Sequence, residues 1–105
     1  MKERDIEKYL VRRVKELGGE VRKVKWIGRR GAPDRVVMLP HRPRINEWPW
    51  PDSTIWVELK NPETIQTFPK DFRERAQHRE HARMRKAGQR VEVVGTIEGV
   101  DEVLR

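Results

Sequence analysis

Apolar residues recur along this chain with two different periods, and each change of period marks an element. Between residues 3 and 17, Ile6, Leu10, Val14 and Leu17 fall at helical spacing and Gly18-Gly19 closes the run, which predicts an amphipathic helix. From Glu20 to Trp26 the residues alternate as in a strand, although both faces carry charge. The turn Gly31-Ala32-Pro33-Asp34 opens a short apolar run, Val36-Val37-Met38-Leu39, read as a second strand. The clearest alternation is Thr54 to Lys60, where Ile55, Val57 and Leu59 share one face and Trp56, Glu58 and Lys60 the other. Asn61-Pro62-Glu63 and the stretch from Thr64 to Pro69 read as a loop. A helix follows from Asp71 to Ala87, ended by Gly88, then a strand from Arg90 to Val94 and a closing helix from Gly99 to Leu104. The predicted order, α-β-β-β-α-β-α, makes an α/β fold in which a helix crosses over a mixed central sheet.

A chain of 105 residues with 35% hydrophobic content is one domain, spanning 1–105, with a single modest core. No run approaches the roughly 18 apolar residues of a membrane span, and the Met-Lys-Glu-Arg-Asp start lacks the apolar segment of a signal peptide, so a cytoplasmic protein is expected. The absence of cysteine removes disulfides, thiolate zinc sites and cysteine nucleophiles. Residues 40 to 53 hold four of the seven prolines and two of the four tryptophans, Trp48 and Trp50, and read as an excursion inserted between strands. Such a loop suits base stacking, a partner interface, or packing onto its own domain.

The formal net charge of +7 marks a surface for a polyanion, nucleic acid first and an anionic membrane second. The excess is concentrated. From Lys70 to Arg90 eight Lys or Arg face three acids, so the predicted long helix favours phosphate contact through residues such as Arg73, Arg79 and Arg83 over a merely solvated face. The loop Ile27-Gly28-Arg29-Arg30-Gly31 adds two guanidinium groups where glycines let a ligand approach the backbone. Gln77, one heptad before Met84, shares that residue's side of the helix and is expected to look toward the site. His78 and His81 lack a third metal ligand and read as exposed, DNA-facing residues.

Glu58 and Lys60 side by side on a strand are most simply an exposed ion pair, worth little. A second carboxylate in a special setting changes that. Pro33 fixes its own φ and restricts Ala32, which aims Asp34 reproducibly toward the neighbouring strand. Two carboxylates and the carbonyl of Leu59 would form an oxygen set for a hard cation such as Mg²⁺ or Mn²⁺, with Lys60 able to orient a water or stabilise charge on a phosphate. Glu3 lies near the middle of the apolar stripe of the first helix and Glu7 at its edge, so a carboxylate there is either a first-turn acid facing the helix dipole or a third acidic group of the site.

Pro33-Asp34, then Glu58-Leu59-Lys60 24 residues later, in this element order, resemble the PD-(D/E)xK nuclease superfamily with its restriction-endonuclease-like core. Within it the chain is similar to the VRR-NUC domain, in a standalone form of the phage and bacterial type. The specific features are Gly-x-Pro-Asp at 31 to 34, Val57-Glu58-Leu59-Lys60-Asn61-Pro62, and Gln77 in Gln-His-Arg-Glu-His ahead of Ala87-Gly88 and the strand at Val91 to Val94. The resemblance implies a Mg²⁺- or Mn²⁺-dependent endonuclease acting on DNA, with Asp34, Glu58 and the Leu59 carbonyl as ligands, Lys60 as the catalytic amine and Gln77 as the family's helix glutamine. It implies a first-helix glutamate as well, with Glu3 favoured and Glu7 the alternative. By analogy it also implies action on branched DNA such as four-way (Holliday) junctions by a homodimer. The competing expectation from the residues alone is a non-catalytic nucleic-acid-binding module built on the basic helix and the Trp48/Trp50 loop.

Overall fold

The computed structural model describes residues 1–40 and 53–105. Most of the expected Pro/Trp excursion, including Trp48 and Trp50, lies outside the described residues. The elements are α1 (Glu3–Glu16), β1 (Glu20–Lys23), β2 (Arg35–Met38), β3 (Thr54–Leu59), α2 (Pro62–Thr67), α3 (Phe72–Lys86), β4 (Val91–Val94) and α4 (Ile97–Val103). The predicted order holds, with two local differences. β1 stops at Lys23 rather than Trp26. The stretch after Lys60 contains a helix where a loop was expected, for a readable reason: Asn61 Oδ1 accepts from the backbone N–H of Glu63 and Thr64, Thr64 Oγ1 accepts in return from the N–H of Asn61, and Pro62 occupies the first turn, where its missing donor costs nothing.

The strands form one sheet in the order β1-β2-β3-β4; β2 runs antiparallel to both β1 and β3, and β4 runs parallel to β3. The parallel step is bridged by α2 and α3, the crossover such a pair requires. Alternation along β3 sorts its side chains as expected: Ile55, Val57 and Leu59 are buried on one face, while Trp56 and Glu58 stand half-buried on the other.

The two faces are unlike. The first packs Val37, Leu39, Ile55, Val57, Leu59 and Val94 against Ile6, Leu10 and Val14 of α1 and Val100, Val103 and Leu104 of the C-terminal segment, and this is the hydrophobic core. α1 and α4 are joined at the rim by the Tyr9 hydroxyl donating to Asp101 at 2.7 Å. α1 ends in a Schellman arrangement, Gly18 N–H bonding the Lys15 carbonyl and Gly19 N–H that of Val14, which requires the positive φ of +83° that Gly18 supplies. No helix among the described residues is long and apolar enough to cross a membrane.

Because Leu10 is fully buried at the centre of the α1 contact while its neighbour Val11 is 42% exposed, the two positions calibrate the core. Urea unfolding should show Leu10→Ala losing about 2–5 kcal/mol and Val11→Ala less than about 0.5 kcal/mol; equal losses would mean that α1 does not bury the face described.

Candidate active site

The second face of the sheet is covered by α3, and the stripe α3 turns inward is polar. Gln77, Glu80 and His81, at positions i, i+3 and i+4, are its buried residues. Gln77 and His81 each hold one charged side chain and Glu80 holds two. Gln77 Oε1 accepts from Lys60 Nζ at 2.9 Å. His81 Nε2 lies 3.3 Å from Glu58 Oε1, and Glu80 takes Arg29 on one carboxylate oxygen and Arg83 on the other, at 3.0 and 3.3 Å. Lys60 is further held by Glu74, 3.0 Å away, and by the ring of Phe68, whose centroid is 5.0 Å from Nζ.

Asp34 reaches the same place from β2. The β2/β3 register pairs Arg35 with Val57, so one step further puts Asp34 across from Glu58. Two contacts fix the turn that delivers it. Gly31, at φ +81°, lies so close to α3 that an added Cβ would stand 2.9 Å from the Ala76 carbonyl. The indole N–H of Trp26 donates to the Pro33 carbonyl at 2.7 Å, with Trp26 packed on Trp56. Asp34, Glu58 and Gln77 then line one cleft of about 420 Å³ together with Arg30 and Arg73.

The same turn determines what the Leu59 carbonyl can do. Lys60 N–H donates to Val94 on the β4 side, and the carbonyl of that peptide unit points the opposite way, toward β2. Its partner there would be Pro33, which has no N–H, and the ladder has already stopped at Arg35–Val57. Leu59 thus keeps its side chain in the core and turns a carbonyl without a strand donor toward the β2 side.

Of the two first-helix acids, Glu7 is taken up by Arg35, which bonds it through Nε at 3.1 Å and NH2 at 2.5 Å and reaches Asp34 Oδ1 through NH1 at 2.9 Å. Glu3 is subject instead to the charges of the cleft. Partial burial raises its pKa; Lys60 opposes the rise, and the carboxylates of Glu58 and Asp34 add to it. Asp34, Glu58 and Gln77 are brought together at the cleft, with Lys60 bonded to Gln77; Glu3, exposed on α1, is near enough to feel their charges, and Glu7 is paired with Arg35 instead. Arg29, Arg30, Arg79 and Arg83 gather on the adjoining side of α3.

The histidine expectation holds for His78, which is exposed, and fails for His81, which is completely buried. A carboxylate only accepts, so the ring carries its proton on Nε2, toward Glu58; Nδ1 has no partner among the described residues. Phe68 stacks on the other side, 6.1 Å between centroids. Glu74 was also missed. Its carboxyl lies below the ordinary range, chiefly because it accepts from the Lys70 backbone N–H and then because of Lys60. The sequence signal for both was present but weak: Glu74 and His81 are three before and four after Gln77, on the same side of the helix.

Two carboxylates lining one cleft, with an ammonium group held by the cleft's Gln77 and a basic helix alongside, suit a phosphodiester-hydrolysing class of site, and the comparisons with known proteins agree. No family model matches the chain. A solved structure described as a VRR-NUC domain superposes with a TM-score of 0.71 at 35% identity, over 99% of this chain and 95% of that one. A phage protein named "Putative nuclease p44", from Acyrthosiphon pisum secondary endosymbiont phage 1, is 37% identical over 94 residues, which is 90% of this chain and 83% of the relative. The chain belongs to the VRR-NUC family of nuclease domains.

The Glu80 cluster yields a pH dependence. Bonding to Arg29 lowers its pKa, with Arg83 acting in the same direction. The folded value lies below the unfolded one, so the stabilisation is complete above the usual glutamate range and is lost as pH falls through the lowered value. Melting temperature should drop on acidification below about pH 4.5, and the drop should shrink in Glu80→Gln; an identical profile would show that the pair contributes nothing to folding.

Proposed function

We propose that this nuclease domain is a Mg²⁺- or Mn²⁺-dependent DNA endonuclease whose cation is held by Asp34, Glu58, the Leu59 carbonyl and Glu3. Among the described residues no three His, Cys, Asp or Glu side chains are already grouped as a metal site. The donor set is nevertheless of the right kind, all oxygen, with two carboxylates directly opposed, a carbonyl deprived of its ladder donor, and a third carboxyl whose ionisation is already opposed by the other two. Hard divalent cations take such ligands and complete their shell with water. A bound cation would neutralise the scissile phosphate and prepare hydroxide near neutral pH.

The chain's own residues do the rest. Lys60, kept in place by Gln77, Glu74 and Phe68, presents an ammonium that can exchange Glu74 for a phosphate oxygen and stabilise charge as the bond breaks. His81 occupies one oxygen of Glu58 and thereby leaves the other to face the cleft. Arg30 and Arg73, on the cleft wall, receive the strand. The observation that carries the reading is the opposition of Asp34 and Glu58 next to Lys60.

We further propose branched DNA, four-way junctions included, as the substrate and a homodimer as the working form in the cytoplasm, since one small subunit carries one such site and resolving a junction takes two cuts.

A panel of linear, nicked, flapped and four-way DNA, with Mn²⁺ and with chelator, tests both levels. Cutting should need the metal, favour the branched substrates, and fall at least about a hundredfold in Asp34→Ala and Lys60→Ala. Undiminished cleavage in both variants would falsify the assigned site, and equal cutting of linear DNA would remove the structure selectivity.

Pro33→Ala tests the carbonyl separately. It restores an N–H opposite Leu59, so Mn²⁺ affinity measured by calorimetry should weaken about tenfold while the circular dichroism spectrum is kept. Unchanged affinity would show that the Leu59 carbonyl is not a ligand.

A further inference from the structure

Beside the cleft lies a second, open pocket of about 260 Å³, lined by Gly28, Arg29, Arg30, Arg79, Glu80 and Arg83. It shares Arg30 and Ala76 with the cleft, so the two open onto one continuous surface between the Gly28–Arg30 loop and α3. We propose that this second cavity seats a phosphate of the bound strand other than the one being cut, and that Glu80 is the positioning residue that aligns two arginines for it. The proposal rests on the nuclease reading only for the nature of the ligand.

Exposure differs sharply within the cluster. The Glu80 side chain is 5% exposed, whereas Arg29 and Arg83, bonded to its two oxygens, are 52% and 63% exposed. A buried carboxylate under two exposed guanidinium groups does not cancel them at the surface. It grips Arg29 by Nε and Arg83 by a single NH1, which leaves both terminal nitrogens of Arg29 and NH2 of Arg83 for another acceptor. With Arg30 and Arg79 the cavity carries four positive charges against one negative charge. A group of net +3 in which two of the four guanidinium groups are held by Glu80 suits an anion with several oxygens, and on a nuclease surface that anion is phosphate. Arg30, on the wall of both cavities, lets one strand pass from the first to the second without leaving the arginines.

A bland ion-pair cluster and a built phosphate seat differ in their response to removal of the acid. If Glu80 only dilutes positive charge, Glu80→Gln should tighten DNA binding; if it aligns Arg29 and Arg83, the same change should weaken it. Fluorescence anisotropy with 20-base-pair duplexes and four-way junctions, on an Asp34→Asn background that separates binding from cutting, reads the difference.

The expected results are a severalfold loss in Glu80→Gln, a loss of about tenfold in Arg29→Gln/Arg83→Gln at 0.1 M KCl, and a salt slope in the double variant shallower by about one. Thermal melting confirms that each variant is folded, and the double variant, altered only at exposed side chains, stands if Glu80→Gln is not. Replacing single linkages of the DNA by neutral methylphosphonate should cost about tenfold at one position with the Asp34→Asn protein and nothing further with the double variant. A duplicate arm, with and without a 5′-terminal phosphate, tells an internal phosphate from a strand end.

Tighter binding in Glu80→Gln, or indifference to every linkage and to the end group, overturns the seat. Cleavage by the native protein with Mn²⁺ is scored separately. A linkage effect without cleavage would sink the nuclease reading and keep the seat, and cleavage without a linkage effect would do the reverse.

Discussion

The structure depends on one pairing, the antiparallel register of β2 with β3, and on the place where it stops. Arg35 opposite Val57 fixes the whole ladder, since a slip of one residue would exchange the core face of each strand for the polar face. In this register Val37 and Ile55 both enter the core, and Asp34 and Glu58 face each other on the far side. The site is thus a by-product of burying the correct side chains. The ladder ends at Arg35–Val57, and Pro33, two residues beyond, has no N–H with which to extend it, which leaves the Leu59 carbonyl without a strand donor next to Glu58.

That arrangement forces a particular kind of helix onto the second face. A sheet surface bearing Glu58 and Lys60 cannot be covered by leucines without stranding charge, so α3 presents Gln77, Glu80 and His81, and each satisfies a group that the sheet or the Gly28–Arg30 loop supplies. Stability is therefore divided. The α1/α4 face contributes hydrophobic burial, while the α3 face contributes a polar network in which removing one partner exposes another to a desolvation cost of about 1–3 kcal/mol. Among the described residues Nδ1 of His81 has no partner, while its Nε2 lies against Glu58, so the ring's one polar contact on this face is with the cleft carboxylate.

The same division governs what could be read from the residues. Wherever apolar side chains face a core, their period gave the elements: α1 from Ile6, Leu10 and Val14, β3 from Ile55, Val57 and Leu59. The Pro33-Asp34 and Glu58-x-Lys60 pattern was legible because proline geometry and strand alternation are local. The interior of α3 was not, because its buried stripe is made of Gln, Glu and His, which pattern analysis takes for a solvent face; hence the misplacement of His81 and the silence on Glu74. α2 was missed for a different reason: its cap is Asn61 and its first residue Pro62, and both are also turn residues, so the local sequence supports loop and helix alike. That Glu7 pairs with Arg35 is a long-range contact that no spacing along α1 could show.

The ion pairs of the α3 side share a polarity that bears on how the surface meets a polyanion. Glu80 is nearly buried and its two arginines are mostly exposed. Each such pair is neutral in sum, yet its positive end lies outward, so a surface with many formal pairs still presents guanidinium groups to an approaching strand. At the cleft the order reverses. Asp34 is 61% exposed over Arg35 at 14%, so in this pair the negative end faces out, toward the place proposed for the cation. A phosphate drawn in by the arginines would repel those carboxylates unless a cation arrived with it. With the proposed cation bound, strand and cation would be mutually dependent ligands: each would lower the cost of placing the other beside Asp34 and Glu58.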